Sequence, residues 1–401
     1  MGMHFVRSEL FRFPWSQTDN PGAWIEVTDV CNLSCPGCFR KNNVTGHRLL
    51  AEIKKEIDFC SDKLNCSRIC ISGGEPLLYP DILEVVKYIR TLGLKAIILS
   101  NGELLTPELL IRLKNAGLYQ LYLHVDSGQN RPGWENKSES ALNELRQYYA
   151  DLIHKTGKIK CGYNLTIRHS NLSEVQDIVE WYRRNISKVN HLSLITYRGI
   201  PKLNGYDIYV NGMKTNPHSL EENFLLPDEI NISSTDIHSR LCEYYNDIYP
   251  AAYLNGTPDM DTYKYLITIN IGTDNKIFGE LGAKSVEIYQ LLYHVLKGKY
   301  DATIPNPGKW IFLLMLFDKR MRKTLKNYLN YLIKNPLRIF NRIYVQALIL
   351  QQPFEIIKGH VNICEGCINL MPFDGKLINS CRYDEYRLLG GPMSLIKKTL
   401  S

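Results

Sequence analysis

The sequence predicts an α/β protein in which strands and helices alternate along the first half of the chain. Short β-branched runs alternate with segments that carry apolar residues at three- and four-residue spacing, from about residue 23 to about residue 199. This alternation is typical of βα units on a parallel sheet. A group of cysteines directly after the first predicted strand is the second guide, because loops at the carboxyl ends of such strands carry the chemistry.

Six strands and five helices make up the repeat. The predicted strands are Trp24–Val30, Arg68–Ser72, Lys95–Ser100, Gln120–Asp126, Lys160–Ile167 and His191–Tyr197. The predicted helices are Leu50–Leu64, Asp81–Leu92, Pro107–Ala116, Glu139–Thr156 and Ser173–Asn185. Thr106 before Pro107 is typical of a helix start, and Gly93 and Gly117 are typical of helix ends. We therefore expect a closed or partly closed βα barrel.

The second half of the chain has a different pattern. Its polar, Asn- and Pro-rich start predicts an irregular insertion or linker over residues 201–308, in which Tyr263–Phe278 favours strands and Ala283–Leu296 a helix. Residues 309–350 are basic and apolar, and we interpret them as a pair of amphipathic helices with a break at Pro336. Peripheral contact with a membrane, or with a lipid-like substrate, is the alternative for this segment.

Composition excludes several classes of protein. Of the 401 residues, 44% are hydrophobic and 22% charged, as in globular proteins. We find no signal-like apolar region at the start and no apolar run of about 18 residues, so the expected compartment is the cytoplasm. Eleven cysteines then indicate metal or redox chemistry rather than disulfides. A net charge of +7 without a nucleic-acid motif gives no reason to expect a nucleic-acid partner.

Cys31, Cys35 and Cys38 follow the first predicted strand with the spacing C-x3-C-x2-C. A four-iron cluster held by three cysteines has one iron without a protein ligand, and that iron is open to another molecule. Structural zinc is the alternative, but it takes four ligands, and the nearest following histidine is His47. A redox C-x2-C pair is a further alternative, which would leave Cys31 unexplained.

Polar residues follow the next three strands. Gly73 and Gly74 permit a close backbone approach, and they precede the carboxylate of Glu75. The third and fourth strands end in further hydrogen-bonding side chains, namely Ser100, Asn101, His124, Asp126 and Ser127. Each of these motifs alone is equally well explained as a capped turn or a buried polar contact. Their shared position at carboxyl strand ends favours a binding site.

The cysteine spacing, the aromatic Phe39 after it, the Gly73-Gly74-Glu75-Pro76 turn and the six βα units together resemble the radical S-adenosylmethionine (AdoMet) superfamily. The resemblance covers about residues 20–200. It implies a partial (β/α)6 TIM-like barrel as the core, with a C-terminal cysteine-containing extension.

The same resemblance implies the cofactors and the reaction. A [4Fe-4S] cluster on Cys31, Cys35 and Cys38 would chelate the amino and carboxylate groups of AdoMet through its open iron. The Gly73, Gly74 and Glu75 segment would meet the amino group, and the residues expected to complete the AdoMet site are Ser100, Asn101, Asp126 and Ser127. An external electron donor would reduce the cluster, and AdoMet would yield methionine and a 5′-deoxyadenosyl radical that attacks the substrate.

Cys364, Cys367 and Cys381 form a second group, with Asp374 and Gly375 as the turn of a predicted hairpin. Structural zinc, with Cys242 or a nearby side chain as fourth ligand, competes with a second cluster here. The resemblance favours an auxiliary four-iron cluster of the SPASM or twitch kind, over residues 359–392, although the spacings depart from those of a full SPASM domain.

Four further cysteines, Cys60, Cys66, Cys70 and Cys161, are expected to be buried inert thiols. Two classes of function stay open at this point. The first is a radical enzyme acting on a small metabolite, a peptide or a lipid-like molecule. The second is a non-catalytic iron-sulfur protein that transfers electrons or senses redox state, for which an open iron beside a Gly-Gly-Glu turn has no use.

Overall fold

The structure is a computed structural model, and it describes residues 5–36, 38–197, 206–215, 232–274, 276–303, 308–357 and 360–398. The α-helices within these residues are α1 (Leu50–Leu64), α2 (Ile82–Thr91), α3 (Pro107–Ala116), α4 (Glu139–Thr156), α5 (Val175–Arg184), α6 (Ser234–Cys242), α7 (Ala283–Lys297), α8 (Lys319–Lys334) and α9 (Tyr383–Leu389). Among the described residues, no helix is both long and apolar enough to cross a membrane.

The strands are β1 (Phe11–Arg12), β2 (Gly22–Thr28), β3 (Arg68–Gly73), β4 (Lys95–Ser100), β5 (Leu118–His124), β6 (Lys160–Ile167), β7 (Val189–Thr196), β8 (Tyr206–Val210), β9 (Met213–Lys214), β10 (Ala252–Thr257), β11 (Tyr263–Thr273), β12 (Lys276–Glu280), β13 (Tyr344–Gln351), β14 (Glu355–Ile357), β15 (His360–Cys364), β16 (Leu370–Phe373), β17 (Lys376–Asn379) and β18 (Met393–Lys397). Short 3-10 helices are Arg7–Glu9, Pro76–Leu78, Ser127–Gln129, Leu172–Glu174, Gly308–Leu316, Pro336–Phe340 and Ser380–Arg382.

Strands β2 to β7 form a parallel sheet in chain order. Each pairs in parallel with the next, and helices α1 to α5 fill the connections. The strands are buried apolar runs, as a sheet covered on both faces requires, and the helices bury one face each. In α1, for example, the buried positions are Ile53, Ile57, Cys60 and Leu64. The predicted βα repeat is confirmed.

The sheet does not close into a full barrel. Strand β7 pairs in parallel with β13, and β13 pairs antiparallel with β11. At the other end, β2 meets β16 through Leu370 and Ala23. Because β2 and β7 each have a different neighbour, the six strands form a partial (β/α)6 barrel, and the expected fold class is confirmed.

The prediction of an irregular region over 201–308 is wrong where the structure describes it. Helix α6 begins with a capping box in which Ser233 and Asp236 satisfy each other's backbone N–H groups. Strands β10 and β11 pair antiparallel, so the Asn and Gly residues of β10 lie inside a sheet. The expected strands and the helix near 283–296 are present. Residues 201–205, 216–231 and 304–307 lie outside the described part of the chain.

The predicted helix pair over 309–350 is only half right. Helix α8 is present and ends before Pro336, but the second helix is replaced by a short 3-10 turn and strand β13. Short apolar runs fit a strand or a buried helix equally well. Here the run from Tyr344 onwards fills the open edge beside β7, and this tertiary pairing decides its conformation.

The junction between the repeat and β13 gives a test of this arrangement. The Tyr182 hydroxyl, which is completely buried, donates a hydrogen bond of 2.5 Å to the carbonyl of Ala347 on β13. Replacement Tyr182→Phe should lower the free energy of unfolding by about 1 kcal/mol, because one buried carbonyl loses its donor. Urea denaturation measures this. Tyr148→Phe on the exposed face of α4 is the control, and equal stability of the two variants would contradict the β13 assignment.

Candidate active site

The carboxyl ends of the parallel strands and the C-terminal segment enclose a cavity of about 240 Å³. All six cysteines predicted to bind metal line it. The cofactor-binding candidates that line it are Gly73, Gly74, Ser100, Asn101 and Asp126. Glu75 and Ser127 do not reach the cavity. The sequence did not predict that the two cysteine groups, which lie more than 300 residues apart, meet at one cavity.

The first cysteine group lies on the loop after β2. Cys31, Cys35 and Cys38 are partly buried and form no disulfide. Burial, together with the neighbouring Cys38 and Cys31 thiols, raises the pKa of Cys35 to about 12. The three thiols therefore lie close enough to repel one another as thiolates. Asn42 Nδ2 donates to Cys38 Sγ at 3.6 Å, so an amide already faces this sulfur.

The second group is held deeper in the fold. Cys364 ends β15 and is hydrogen-bonded to Cys367, and Cys381 interacts electrostatically with Cys364. Asn20, fully buried, donates to the carbonyl of Cys367 at 2.9 Å. Gly366 has φ +69°, and a Cβ there would lie 2.4 Å from a backbone oxygen of Trp15. The N-terminal segment thus fixes the C-x2-C turn.

The hairpin after this turn is also as predicted. Strands β16 and β17 pair antiparallel, and Asp374 and Gly375 connect them with φ of +51° and +72°. Cys242, considered as a fourth ligand, lies on α6 beside His238 and does not line the cavity.

Gly73 and Gly74 serve a different contact from the one expected. A Cβ on Gly73, which has φ +148°, would lie 2.1 Å from the carbonyl oxygen of Thr28, and one on Gly74 would lie 2.4 Å from that of Val30. The amide of Gly74 donates to Thr28 at 2.9 Å. The two glycines let the turn after β3 press against the backbone that enters the cysteine loop.

Glu75 joins three loops rather than facing the cavity. Its carboxylate is completely buried and accepts hydrogen bonds from the Ser100 hydroxyl at 2.8 Å, the Asn101 amide at 2.7 Å and the Leu77 amide at 3.0 Å. Burial raises the pKa of Glu75, while these donors oppose the rise. Glu75 therefore positions the end of β4 against the end of β3.

Asp126 lies at the cavity wall beside His124, with 2.6 Å between Asp126 Oδ2 and His124 Nε2. Burial alone would raise the pKa of Asp126, but His124 and the amide of Thr166 lower it to about 2. Ser127 instead donates to the buried carboxylate of Glu139 at 2.7 Å. Asp126 remains a candidate for a cofactor contact, and Ser127 is part of the loop's support.

The C-terminal segment is clamped onto the cysteine loop. Arg40, directly after that loop, is buried, pairs with Glu26 and donates to the carbonyl of Ser380 at 2.7 Å. Arg387 on α9 contacts Asp29 at 3.1 Å on the other side of the loop. The Arg40–Ser380 hydrogen bond and the Arg387–Asp29 ion pair fix the relative position of the two cysteine groups, and the sequence carried no signal for them.

Other residues of the site were also missed. Arg131 is 1% exposed and donates to the backbone carbonyls of Asn101 and His124, which joins the ends of β4 and β5. Arg168 donates to the carbonyl of Pro36 at 2.7 Å and stacks on Tyr197. A single arginine in a loop has no pattern that predicts such contacts.

The residues present fit an iron-sulfur cluster with a second molecule beside it. Buried polar atoms of two cavity residues, Ser72 Oγ and Asn42 Oδ1, have no hydrogen-bond partner in the described structure. No three His, Cys, Asp or Glu side chains among the described residues converge on one metal ion. A four-iron cluster takes its thiolates on separate irons, and Cys31, Cys35 and Cys38 supply the three that leave one iron open.

Comparison with known proteins identifies part of the chain. The sequence profile described as the Radical SAM superfamily matches residues 25–204, which begin within β2 and contain β3 to β7 and the first cysteine group. By this match, residues 25–204 form a domain of the Radical SAM superfamily. The predicted resemblance is thereby confirmed.

Curated proteins similar to part of this chain carry several names. AdoMet-dependent heme synthase of Methanosarcina barkeri is 30% identical over 169 residues, 39% of this chain and 45% of the relative. 7,8-Dihydro-6-hydroxymethylpterin dimethyltransferase of Methanocaldococcus jannaschii is 28% identical, over 56% of this chain and 43% of the relative. The chain thus matches about half the length of these curated relatives.

One solved structure is similar over part of the chain. The alignment with Streptococcus suis SuiB bound to the precursor peptide SuiA covers 57% of this chain and 46% of the SuiB chain, with 18% identity and a TM-score of 0.40.

The Gly73 contact predicts a specific defect. Gly73→Ala should lower stability by about 2–4 kcal/mol, because it adds a clash with Thr28 to an unfavourable φ. It should also reduce the iron bound after reconstitution, because the clash displaces the loop that carries Cys31. Gly93→Ala, with φ +74° and no atom within 4 Å of the new Cβ, is the matched control. Thermal unfolding and iron content are measured, and equal effects would contradict the contact.

Proposed function

We propose that this protein cleaves AdoMet reductively at a [4Fe-4S] cluster held by Cys31, Cys35 and Cys38, and uses the product to abstract hydrogen from a substrate. A bound cluster would supply the electron that reduces the AdoMet sulfonium, and an external donor would supply that electron to the cluster. The observation that carries the proposal is the single cavity lined by the three thiols and by the carboxyl ends of β3 to β6.

The roles of the chain's own groups follow from their positions. The backbone of Gly73 and Gly74 and the side chains of Ser72, Asn101 and Asp126 line the space beside the thiols, where they would orient AdoMet. Glu75, Arg131 and Ser127 lie behind that surface, and we assign them to positioning the loops. The cavity is partly enclosed by protein, which favours a radical step shielded from water.

We further propose that Cys364, Cys367 and Cys381 hold an auxiliary four-iron cluster. Support comes from their lining of the same cavity as the first group, with Tyr265 buried among them. Two clusters at one cavity would place the auxiliary one beside the substrate or on the path of electrons to it. The predicted domain bounds, with the core over 20–200 and the auxiliary module over 359–392, remain proposals.

The relatives do not select one substrate. Their names refer to heme synthesis, to a pterin and, for a probable GTP 3′,8-cyclase of Methanothermobacter marburgensis, to GTP. A purely electron-transferring protein is the second class considered above, and family membership does not favour it. The substrate is therefore argued below from the cavity of this chain.

Electron paramagnetic resonance tests the first cluster. Anaerobically reconstituted, reduced protein should give a cluster signal that changes when AdoMet is added, because AdoMet binds the open iron. In the triple variant Cys31→Ala, Cys35→Ala, Cys38→Ala the AdoMet-dependent change and the formation of 5′-deoxyadenosine should be lost. Cys242→Ser, away from the cavity, is the control. A reduced signal indifferent to AdoMet would overturn the proposal.

Iron content separates the two cysteine groups. Wild-type protein should hold about eight irons per chain, and the variant Cys364→Ala, Cys367→Ala, Cys381→Ala about four. This variant should still cleave AdoMet, while its turnover of substrate slows, because the first cluster and its loop are unchanged. If the variant keeps the full iron content, or if the wild-type protein binds zinc at these three cysteines, the auxiliary cluster does not exist.

A further inference from the structure

A second cavity, of about 460 Å³, occupies the inside of the partial barrel. It shares wall residues with the cysteine cavity, among them Trp24, Asn164 and Tyr265, so the two cavities adjoin. Its other end lies at the amino ends of the strands, where Arg68 begins β3 and Asn190 lies at the start of β7. The space therefore extends inside the barrel from beside the candidate active site to the opposite rim.

The walls of this barrel cavity are mostly apolar and uncharged. Two pairs of polar side chains satisfy each other, Gln120 with Asn190 at 3.2 Å and His191 with Ser193 at 2.8 Å. Burial lowers the pKa of His191 to about 3, so its imidazole is neutral. Two charged residues line the walls, and both have partners. Arg68 donates to the hydroxyl of Tyr122 and to a backbone carbonyl, and the carboxylate of Asp301 accepts from Lys95 Nζ at 2.8 Å. Such a space suits an apolar or amphiphilic molecule.

The mouth of the barrel cavity lies between α7 and the 3-10 helix Gly308–Leu316. Tyr289 and Gln290 of α7 line it on one side, and Trp310 and Leu314 on the other. Trp310 is 77% exposed although it also lines the cavity, so it marks the opening to solvent. Asp318 links the two sides, because its carboxylate accepts from the hydroxyl of Ser285 at 2.7 Å and from the amide of Arg320 at 2.9 Å.

Exposed apolar side chains concentrate around this mouth. More than half of the large apolar side chains that the described residues expose lie between residues 291 and 340. They are Leu291, Leu292, Val295, Leu296, Trp310, Leu313, Leu316, Phe317, Leu329, Ile333, Leu337, Ile339 and Phe340. Lys309 on the 3-10 helix Gly308–Leu316 donates to the carbonyl of Ile339 on the 3-10 helix Pro336–Phe340, and this hydrogen bond holds the two segments together. A patch of this extent marks an interaction surface.

The same surface is strongly basic. Residues 308–342 contain nine Lys and Arg and a single acidic residue, Asp318, which is buried by its capping contacts. Arg320 lies 3.8 Å from Glu280, and among the described residues the cations Lys319, Lys323, Lys326, Lys334 and Arg338 have no ion pair. Apolar side chains flanked by unpaired cations are the chemistry that binds an anionic bilayer surface. A protein partner would have to match both features over the same area.

We propose that this basic apolar surface, residues 291–297 and 308–342, docks the protein on an anionic membrane and brings the mouth of the barrel cavity to the lipid. The docking rests on the surface alone. Its consequence for catalysis rests on the function proposed above: the substrate would be an amphiphile, drawn from the bilayer into the barrel towards the clusters.

Vesicle co-sedimentation of the reconstituted full chain tests the docking. Vesicles of phosphatidylcholine with phosphatidylglycerol should bind the protein, while phosphatidylcholine vesicles should bind it much less, and added salt should weaken the binding. The triple variant Lys319→Glu, Lys326→Glu, Lys334→Glu should bind roughly 100-fold less well. The control is the triple variant Lys55→Glu, Lys137→Glu, Lys155→Glu, which makes the same change in net charge elsewhere on the exposed surface. It should bind vesicles as the wild-type protein does.

A second pair of variants tests the apolar part of the surface. The double variant Leu337→Ser, Phe340→Ser should also lose vesicle binding, because two apolar side chains that are 80% and 84% exposed would no longer enter the lipid. Ile111→Ser, Met213→Ser is the control. Wild-type protein that ignores anionic vesicles, or controls that lose binding equally, would overturn the proposal. The proposal would also be overturned if the wild-type protein is a dimer and the double variant Leu337→Ser, Phe340→Ser is a monomer with unchanged vesicle binding.

The two proposals fail separately. All these variants should form 5′-deoxyadenosine at the wild-type rate without vesicles, because the substituted residues lie outside the cysteine cavity. If wild-type protein binds vesicles but does not cleave AdoMet, the function proposed above is wrong and the docking stands. If it cleaves AdoMet but does not bind vesicles, only the docking is wrong.

Discussion

The close approach of two backbone turns is the constraint on which the site depends. Gly73 and Gly74 lie so near Thr28 and Val30 that any side chain would displace them, and the buried carboxylate of Glu75 extends the contact to the end of β4. Because the cysteine loop begins at this point, the ends of three strands and the loop that holds the thiols move as one unit. A cluster bound there would meet a preformed surface rather than one that has to be assembled.

The C-terminal segment completes the arrangement from the other side of the cavity. Arg387 connects it to the cysteine loop through a buried ion pair with Asp29, and Arg40, itself paired with Glu26, donates a hydrogen bond to the carbonyl of Ser380. A buried pair contributes little net stability, since desolvation offsets the attraction, but losing one partner is costly. Such contacts therefore specify position more than they add stability. Position is what matters if two clusters act on one substrate between them.

The barrel interior and the surface at its mouth belong to the same physical argument. A partial barrel has an open interior, and this one is lined by apolar walls and by polar side chains that satisfy each other. The opening lies beside helices whose outward faces are apolar and basic at once. The proposal of an amphiphile at an anionic surface rests on this cavity, on its exposed rim at Trp310 and on the unpaired cations of the segments beside it.

The sequence by itself determined the βα repeat and the hairpin at Asp374 and Gly375, because these depend on local periodicity and turn chemistry. Only the tertiary structure decided the rest. The apolar run of β13 became a strand because the edge of β7 was open to pair with it, and Glu75 turned inward because three donors meet there. Arg131 and Arg40 gained their roles from partners far along the chain, and pairings of that kind leave no local pattern in a sequence.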